Sequence, residues 1–265
     1  MPFTIAHSPD SDDAYMMAPL ALGWLDPEGF DFRFVRKDIE TLNREALEAP
    51  YEVTAISFGA YPELAATYQL LTAGSSIQEG TGPLVVSRRP LVRADLAGVT
   101  VAIPGLRTSA YLAMKTWMPG LKVELVPFDQ IMEAVAEGRY EAGLLIHESQ
   151  LMYRALGLNL VVDLGAWWKA DFDLPLPMGG NAIRKDLPGD VKARFAVLMR
   201  RSVEMARARH DEAVAYAQSF GRGMDTGMVG RYVRAWVNDF TVDPGPRGRA
   251  AVDRLLGLRA EWIQG

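Results

Sequence analysis

The sequence has no cysteine and only three histidines, at His7, His147 and His210. Without cysteine there is no disulfide framework, no thiol nucleophile and no cysteine-ligated zinc. Histidine is the side chain that most readily exchanges protons near neutral pH. Few groups are therefore available for acid–base chemistry at neutral pH. The position of each histidine in the fold decides whether it can be a catalytic acid or base.

Long apolar runs and dense basic runs are also missing. No window of about eighteen apolar residues occurs, so no membrane span is predicted, and residues 1–10 lack the basic and apolar regions of a signal peptide. Lysine and arginine number 28 against 33 aspartates and glutamates, for a net charge of -5. An acidic chain without a basic stripe is a poor partner for nucleic acid. We expect a cytoplasmic protein that binds neither nucleic acid nor membrane.

Short strands and helices alternate along the first half of the chain. Apolar runs predict strands at 3–8, 30–36 and 52–59, and helical spacing predicts helices at about 12–22, 38–49 and 60–71. The alternation restarts after residue 91, with strands at 98–105, 122–128 and 141–146 and helices at 108–118 and 129–138. Asp129 is expected to cap the last of these helices. This order indicates parallel sheets covered by helices.

The chain length adds a second expectation about the fold. A chain of 265 residues is long for one core and suits two domains. We predict an α/β fold with two lobes in a Venus-flytrap architecture, each lobe a mostly parallel sheet flanked by helices. Residues 1–90 and 176–265 form the larger lobe, and residues 91–175 form a smaller inserted lobe. Ligands of open α/β sheets bind beyond the carboxyl ends of the strands, so the cleft between the lobes is the expected site.

Polar side chains lie at or near strand ends in the first lobe. Asn43 projects from the apolar face of helix 38–49, and a buried amide needs partners, which here are either groups of the fold or a ligand. Ser57 ends a strand but lacks the Gly-x-Ser-x-Gly turn of a nucleophile, so we expect a hydrogen-bonding role. The acidic loop "SPDSDD" (8–13) precedes a helix. Its side chains are expected to cap free N–H groups or, alternatively, to bind a divalent cation.

Two strand ends in the second lobe carry groups suited to an anionic ligand. In "IPGLRTSAY" (103–111), Thr108 and Ser109 open a helix whose first N–H groups can bind a carboxylate, although such residues are also ordinary helix caps. In "EAGLLIHESQ" (141–150), a buried strand ends in His147. This side chain is either a structural histidine or a general base facing the cleft. His210 lies in a charged helix and is expected to be exposed to solvent.

Seven motifs carry a resemblance to a known family. In chain order they are "DIETLNREAL", "ISFGAY", "GTGPLVVSR", "VAIPGLRTSAYL", "EAGLLIHES", "VVDLGAWW" and "LPLPMGG". The chain resembles, over most of its length, the 1,4-dihydroxy-6-naphthoate synthases of the futalosine pathway of menaquinone biosynthesis. The resemblance implies a fold similar to type II periplasmic binding proteins. It also implies a carbon–carbon lyase that cleaves cyclic dehypoxanthinyl futalosine into 1,4-dihydroxy-6-naphthoate and a sugar-derived fragment.

The resemblance also implies roles for individual residues. The family's proton-abstracting histidine falls on His147, and its substrate-binding residues fall on Asn43, Ser57, Thr108, Ser109 and Ala110. The reaction needs no redox change, so neither a cofactor nor a metal is implied, and the partner is a small-molecule carboxylate substrate. The chain departs from the family in "SPDSDD", where Ser-Pro-Cys-Pro-Asn-Asp is common, and at Ala55, where a lysine is common. A different substrate therefore stays open.

Two other functions remain open. A cytoplasmic small-carboxylate-binding protein without catalysis would have the same fold, because a fold does not determine a function. The related chorismate dehydratase shares the two-lobed shape and the pathway, but the "IHES" histidine and the "DIETLN" stretch favour the naphthoate synthase. With any of these functions, we expect a monomer or a weak homodimer.

Overall fold

The computed structural model describes residues 2–147, 149–220 and 224–265. The chain divides into two compact units: unit 1 comprises Met1–Ile77 and Pro177–Gly265, and unit 2 comprises Gln78–Leu176. The sequence predicted the lobes to meet at 90/91 and 175/176, and those limits stay a prediction. The strand Leu84–Ser87 lies in unit 2, because it pairs with Ala142–Leu145 of the same unit.

The strands and helices follow the predicted alternation over residues 3–59 and 98–146. The strands are β1 (Phe3–His7), β2 (Phe32–Arg36), β3 (Val53–Ser57), β4 (Tyr68–Leu71), β5 (Ser76–Gln78), β6 (Leu84–Ser87), β7 (Thr100–Ile103), β8 (Lys122–Leu125), β9 (Ala142–Leu145), β10 (Asn159–Asp163), β11 (Leu176–Arg184) and β12 (Trp262–Ile263). The helices are α1 (Ser11–Ala21), α2 (Ile39–Glu45), α3 (Tyr61–Leu64), α4 (Ser109–Trp117), α5 (Phe128–Ala136), α6 (Ser149–Met152), α7 (Leu164–Phe172), α8 (Gly189–Ala208), α9 (His210–Gln218), α10 (Thr226–Trp236), α11 (Asp239–Val242) and α12 (Gly245–Leu256).

Unit 1 is built around a mixed sheet. Among the described residues its order is β12-β4-β11-β3-β1-β2, with β5 paired to β11. β1 runs parallel to β2 and β3, whereas β11 runs antiparallel to β3 and β4. Because β1 and β3 are parallel neighbours, their carboxyl ends, His7 and Ser57, lie at the same edge of the sheet.

The two faces of this sheet are covered by different helices. Phe3 and Ile5 of β1 point into a core that includes buried residues of α1 and α8, and Ala6 points to the opposite face and packs with Leu42 of α2. This alternation follows from the two-residue repeat of a strand. Both faces of β1 are therefore buried, which explains why the strand reads as a continuous apolar run.

Unit 2 contains a second mixed sheet, with the order β10-β6-β9-β7-β8 among the residues that the structure describes. β7 is parallel to β8 and β9, and β6 is antiparallel to β9 and β10. Helix α5 buries Ile131 and Val135, four residues apart, over β9. A Cβ atom on Gly143 would lie 2.6 Å from Ile131 Cγ2, so glycine at this position allows the helix to approach the strand that leads to His147.

Two local predictions were wrong. The segment 60–71 was predicted to be one helix, but only Tyr61–Leu64 is helical, and Tyr68–Leu71 is a strand that pairs with β11 and β12. Pairing between residues far apart in sequence overrides local helix propensity here. Asp129 was expected to be the N-cap of its helix, but that helix begins one residue earlier, at Phe128, after Pro127. Asp129 is instead in the first turn, where its charge favours the helix dipole.

None of the helices within 2–147, 149–220 and 224–265 has the length and apolar character needed to cross a bilayer.

Candidate active site

His147 lies two residues after strand β9 in unit 2. Its side chain is half-buried, and its ring contacts the ring of Phe128 edge to face, with 5.2 Å between centroids. Its backbone is left-handed, with φ of 55°. Few residues other than glycine adopt that conformation, and those that do are often found at functional sites. The strand end predicted from the sequence therefore presents His147 in a conformation that costs free energy.

Neighbouring groups hold the backbone of His147. With the amide of Gln150 in its better-satisfied orientation, its oxygen accepts from the His147 N–H at 3.1 Å and its nitrogen donates to the Gly82 carbonyl at 2.7 Å. The Gln150 N–H donates to the His147 carbonyl at 3.3 Å. Glu148, the residue that follows His147, lies outside the described residues. The side-chain and backbone amides of Gln150 thus hold the backbone of His147.

Thr108 is the N-cap of helix α4, as the sequence predicted. Its hydroxyl accepts from the Tyr111 N–H at 3.1 Å and donates to the Gly105 carbonyl at 2.9 Å. Thr108 and the two residues after it, Ser109 and Ala110, are all buried. The cap satisfies the third N–H of the helix, so an anion would meet the N–H groups of the first two residues, where the helix dipole is positive.

Unit 2 brings these two features to one edge of its sheet. Strand β7 leads to Thr108 and strand β9 leads to His147, and the two strands are parallel neighbours in which Val101 and Ala102 pair with Ala142 and Gly143. Carboxyl ends of adjacent parallel strands lie side by side. The predicted base and the predicted carboxylate site therefore lie at the same edge of the unit 2 sheet, the edge formed by the carboxyl ends of β7 and β9.

Asn43 and Ser57 form a buried hydrogen-bonded pair in unit 1. Asn43 Nδ2 donates to Ser57 Oγ at 3.1 Å, and the Ser57 N–H donates to Asn43 Oδ1 at 2.8 Å. Asn43 is fully buried and Ser57 nearly so. The sequence left open whether the amide has a partner inside the fold or a ligand. The structure provides the internal partner, which is itself the other predicted binding residue of this unit.

This pair predicts a stability effect. Replacing Asn43 by leucine, which is similar in size, leaves the Ser57 N–H buried without its acceptor. We expect the free energy of unfolding to fall by about 1–3 kcal/mol, measured by urea denaturation. Asn159→Leu is the matched control, because the Asn159 amide is only partly buried and donates to the Arg88 carbonyl at 3.1 Å. Equal losses in both variants would contradict a special role for the buried pair.

The acidic loop before α1 is organised by Asp13. Its Oδ2 accepts from the Ser8 N–H at 2.9 Å and from the Ser8 hydroxyl at 2.7 Å. Asp10 is the N-cap residue but caps no helix N–H with its side chain. The expectation that this loop caps the helix is thus wrong for Asp10, since the carboxylate of the first turn instead holds the loop. Burial, opposed by the hydrogen bonds from Ser8, raises the pKa of Asp13 from 3.8 to about 6.

His7 ends β1 beside this loop and is fully buried. Its Nδ1 donates to the Ser8 carbonyl at 2.7 Å, which leaves Nε2 as the unprotonated nitrogen of the neutral ring. Nε2 is buried without a hydrogen-bond partner in the described structure. Burial lowers the pKa of His7 from 6.5 to about 4, and the positive charge of Arg36 adds to this effect. His7 is therefore neutral at pH 7. Folding lowers the pKa of His7 and raises the pKa of Asp13, so the two groups change the stability of the protein in opposite directions as the pH falls.

The cation alternative for the acidic loop receives no support. Within the described ranges, no group of three or more histidine, aspartate or glutamate side chains is arranged to hold a metal ion. Asp13 is engaged with Ser8, and Asp12 Oδ2 accepts from the Ser76 hydroxyl at 3.2 Å. These carboxylates serve the loop and its neighbours.

His210 was expected to be exposed, and that prediction was wrong. It is the first residue of α9, it is half-buried, and its Nδ1 lies 2.9 Å from the hydroxyl of Tyr15. The two residues are 195 positions apart in the chain. No local pattern around "ARARHDEA" indicates this contact, because it depends on the packing of α9 against α1.

Comparison with known proteins assigns the chain to a family. The family model described as "Menaquinone biosynthesis" matches residues 3–261. A protein of Thermus thermophilus named 1,4-dihydroxy-6-naphthoate synthase is 38% identical over 252 residues, covering 95% of this chain and 92% of that protein. A protein of the same name from Streptomyces coelicolor is 34% identical over 259 residues, which cover 95% of this chain and 90% of that protein.

Solved structures are similar in fold. A protein from Archaeoglobus fulgidus is 41% identical, with a TM-score of 0.92 over 96% of this chain and 95% of that one. A Candida albicans protein described as having the generic periplasmic binding protein fold is 10% identical, with a TM-score of 0.73, covering 97% and 89%. The aliphatic sulphonate binding protein of Escherichia coli is 13% identical, with a TM-score of 0.66, covering 100% and 92%. The predicted periplasmic-binding-protein-like α/β fold is confirmed, and the chain belongs to the menaquinone biosynthesis family.

Proposed function

We propose that this protein is a 1,4-dihydroxy-6-naphthoate synthase, a carbon–carbon lyase that cleaves cyclic dehypoxanthinyl futalosine. The observation that carries the proposal is the similarity to two proteins with that enzyme name, at 38% and 34% identity over nearly their whole lengths. The motifs that contain the predicted site residues lie within the segment that matches the family model. The expected product is 1,4-dihydroxy-6-naphthoate.

In this proposal His147 is the general base. It takes a proton from the sugar-derived part of the substrate, and the electrons left behind drive fragmentation toward an aromatic naphthoate. Imidazole groups suit this step because they exchange protons near neutral pH. The half-buried position of His147 and its left-handed backbone at the end of β9 support the assignment. The step is redox-neutral, so the proposal requires no cofactor.

The remaining predicted residues bind and orient the substrate. The first turn of α4, with Thr108, Ser109 and Ala110, is proposed to bind the carboxylate, because its N–H groups and dipole favour an anion. Asn43 and Ser57 are proposed to position substrate hydroxyl groups. Their mutual hydrogen bonds support this role, since a polar pair held rigidly by its own contacts is preorganised to receive a ligand.

A second candidate is a small-carboxylate-binding protein without catalysis. The observation that favours it is the fold, which this chain shares with the sulphonate binding protein of Escherichia coli. Such a likeness concerns the fold alone. The enzyme names of the more similar relatives favour the synthase.

The decisive experiment is a turnover assay with the purified protein. Cyclic dehypoxanthinyl futalosine is incubated with the protein, and formation of 1,4-dihydroxy-6-naphthoate is followed by liquid chromatography. A parallel incubation with chorismate tests for the dehydratase. Naphthoate formation supports the proposal. Saturable binding of the futalosine compound without its consumption would favour the binding protein, and consumption of chorismate alone would assign the chain to the dehydratase.

A further inference from the structure

A pocket on the helical side of unit 1 lies apart from the strand ends described above. Its volume is about 450 Å³, which falls in the range of small-molecule sites. The lining residues come from α1, α8, α9 and α10, from the two residues that follow α10, and from the start of α11. They are Tyr15, Arg207, His210, Val233, Arg234, Val237, Asn238 and Asp239. None of the residues assigned to the proposed reaction lines it.

The charges around this pocket favour an anion. Its lining carries two arginines against one carboxylate. Arg207 donates to Asp239 Oδ1 at 2.8 Å, but the Asp239 side chain is 96% exposed, and such pairs contribute little and exchange readily. Arg234 forms no ion pair with any residue in the described part of the chain. Among the described residues, the Arg234 guanidinium group thus has no ion-pair partner, and the Arg207 guanidinium group has an exposed one.

The helix dipole explains in part why arginines occur at these two positions. Arg207 and Arg234 each lie in the last turn of a helix, where a cation favours the dipole. Asp211, in the first turn of α9, places a negative charge near Tyr15 and His210. What helix ends do not explain is that the two exposed arginines border the same open pocket as the histidine–tyrosine pair.

The Tyr15–His210 pair supplies a further donor. Burial raises the pKa of Tyr15 to about 12, so its hydroxyl keeps its proton at neutral pH. Burial and the Arg234 charge lower the pKa of His210 from its ordinary value of 6.5, which favours the neutral ring at pH 7. The Tyr15 hydroxyl lies 2.9 Å from Nδ1 of His210. In the tautomer in which this hydroxyl donates to Nδ1, the proton of the neutral imidazole is on Nε2. The pair thus provides an imidazole N–H without an added charge.

We propose that this pocket binds a small oxyanion, either a carboxylate or a phosphate group, between the guanidinium groups of Arg207 and Arg234. Guanidinium groups match both anions through paired N–H donors. The N–H of His210 is the third donor. Val233 and Val237 form an apolar wall for the body of the ligand. The site is separate from the proposed reaction, so its failure would leave the synthase assignment intact.

The test uses the small number of histidines. The ring C–H resonance of each of the three histidines is assigned by single substitution and followed by NMR during titration with sodium phosphate or sodium malonate. Sodium chloride at matched ionic strength is the reference. We expect a saturable shift of the His210 resonance with phosphate, malonate or both, while chloride has no such effect. The anion that binds more tightly identifies the natural ligand group as phosphate or carboxylate.

Two arginines of α10 provide a test variant and its matched control for anion binding. Arg234→Ala is expected to weaken binding at least about tenfold, the effect of losing one charged hydrogen-bonding partner. Arg231→Ala removes the same charge from the same helix at an exposed residue that does not line the pocket, and affinity is expected to persist. Arg234→Gln replaces the alanine variant if that one does not fold. No saturable His210 shift, or equal losses in the Arg231 and Arg234 variants, would overturn the proposal.

Discussion

Replacing His147 by asparagine is expected to lower kcat for naphthoate formation by about 10²–10⁴-fold, the usual contribution of a general base. Asparagine has no group able to take the proton at neutral pH. It does tolerate the left-handed backbone conformation that His147 adopts, with φ of 55°. This substitution therefore removes the base and retains the backbone, whereas alanine would add backbone strain to the loss of the imidazole.

The change should appear in kcat and much less in KM, because proton abstraction occurs after the substrate is bound. Binding is checked by calorimetry under conditions in which the variant does not turn over the substrate. Arg139→Ala is a control within unit 2: Arg139 is exposed, its Nε donates to Glu137 at 2.9 Å, and its loss should leave the rate unchanged. Wild-type turnover by the asparagine variant would remove His147 from the mechanism.

Buried His7 and partly buried Asp13, both near the start of α1, are expected to make opposite contributions to stability in acid. The pKa of His7 is 6.5 in the unfolded chain and about 4 in the folded protein. Between these values the unfolded state binds the proton and the folded state does not. The free energy of unfolding therefore falls as the pH is lowered through this window, by about 3 kcal/mol in total.

The contribution of Asp13 to the pH dependence of stability has the opposite sign. Its pKa is 3.8 in the unfolded chain and about 6 in the folded protein, so the folded state binds the proton first. Lowering the pH from about 6 to 3.8 therefore stabilises the fold, again by about 3 kcal/mol. In the native protein the two effects nearly cancel, because their windows overlap.

Single substitutions should separate the two contributions. His7→Leu removes the group whose protonation destabilises the fold in acid. The free energy of unfolding of this variant should therefore rise by about 3 kcal/mol relative to that of the native protein as the pH falls from about 6.5 to 4. Asp13→Asn keeps the shape of the side chain and one acceptor for Ser8, but it removes the stabilisation that comes from protonation of Asp13. The free energy of unfolding of this variant should therefore fall by a similar amount relative to that of the native protein over the same pH range. Urea unfolding of each variant at both pH values measures the difference. The titration of other carboxylates is common to all variants and cancels.

The double variant completes the cycle. It should follow the native protein over the same pH range, within the uncertainty of the extrapolation. Curves for both single variants that run parallel to the native one would show that neither group titrates differently on folding.

Much of the site arrangement is already present in local patterns. The burial of Asn43 follows from its place on the apolar face of α2, and the end of β3 at Ser57 follows from an apolar run. A helix start at Thr108 and Ser109 follows from the hydroxyl groups after a glycine turn, and a helix cap was one of the two roles that the sequence left open for them. These features depend on residues within a few positions of each other, and the physical preferences of short segments are enough to predict them.

What the sequence by itself determined is the order of strands and helices and the strand ends that carry Ser57 and His147, because backbone preferences and apolar spacing act over short distances. Only the tertiary structure decided that residues 68–71 form a strand, that Asn43 and Ser57 satisfy each other, and that His210 bonds to Tyr15. It also decided the opposite pKa shifts of His7 and Asp13. Each of these depends on burial or on contacts across long stretches of chain, and no local pattern of residue types encodes such contacts.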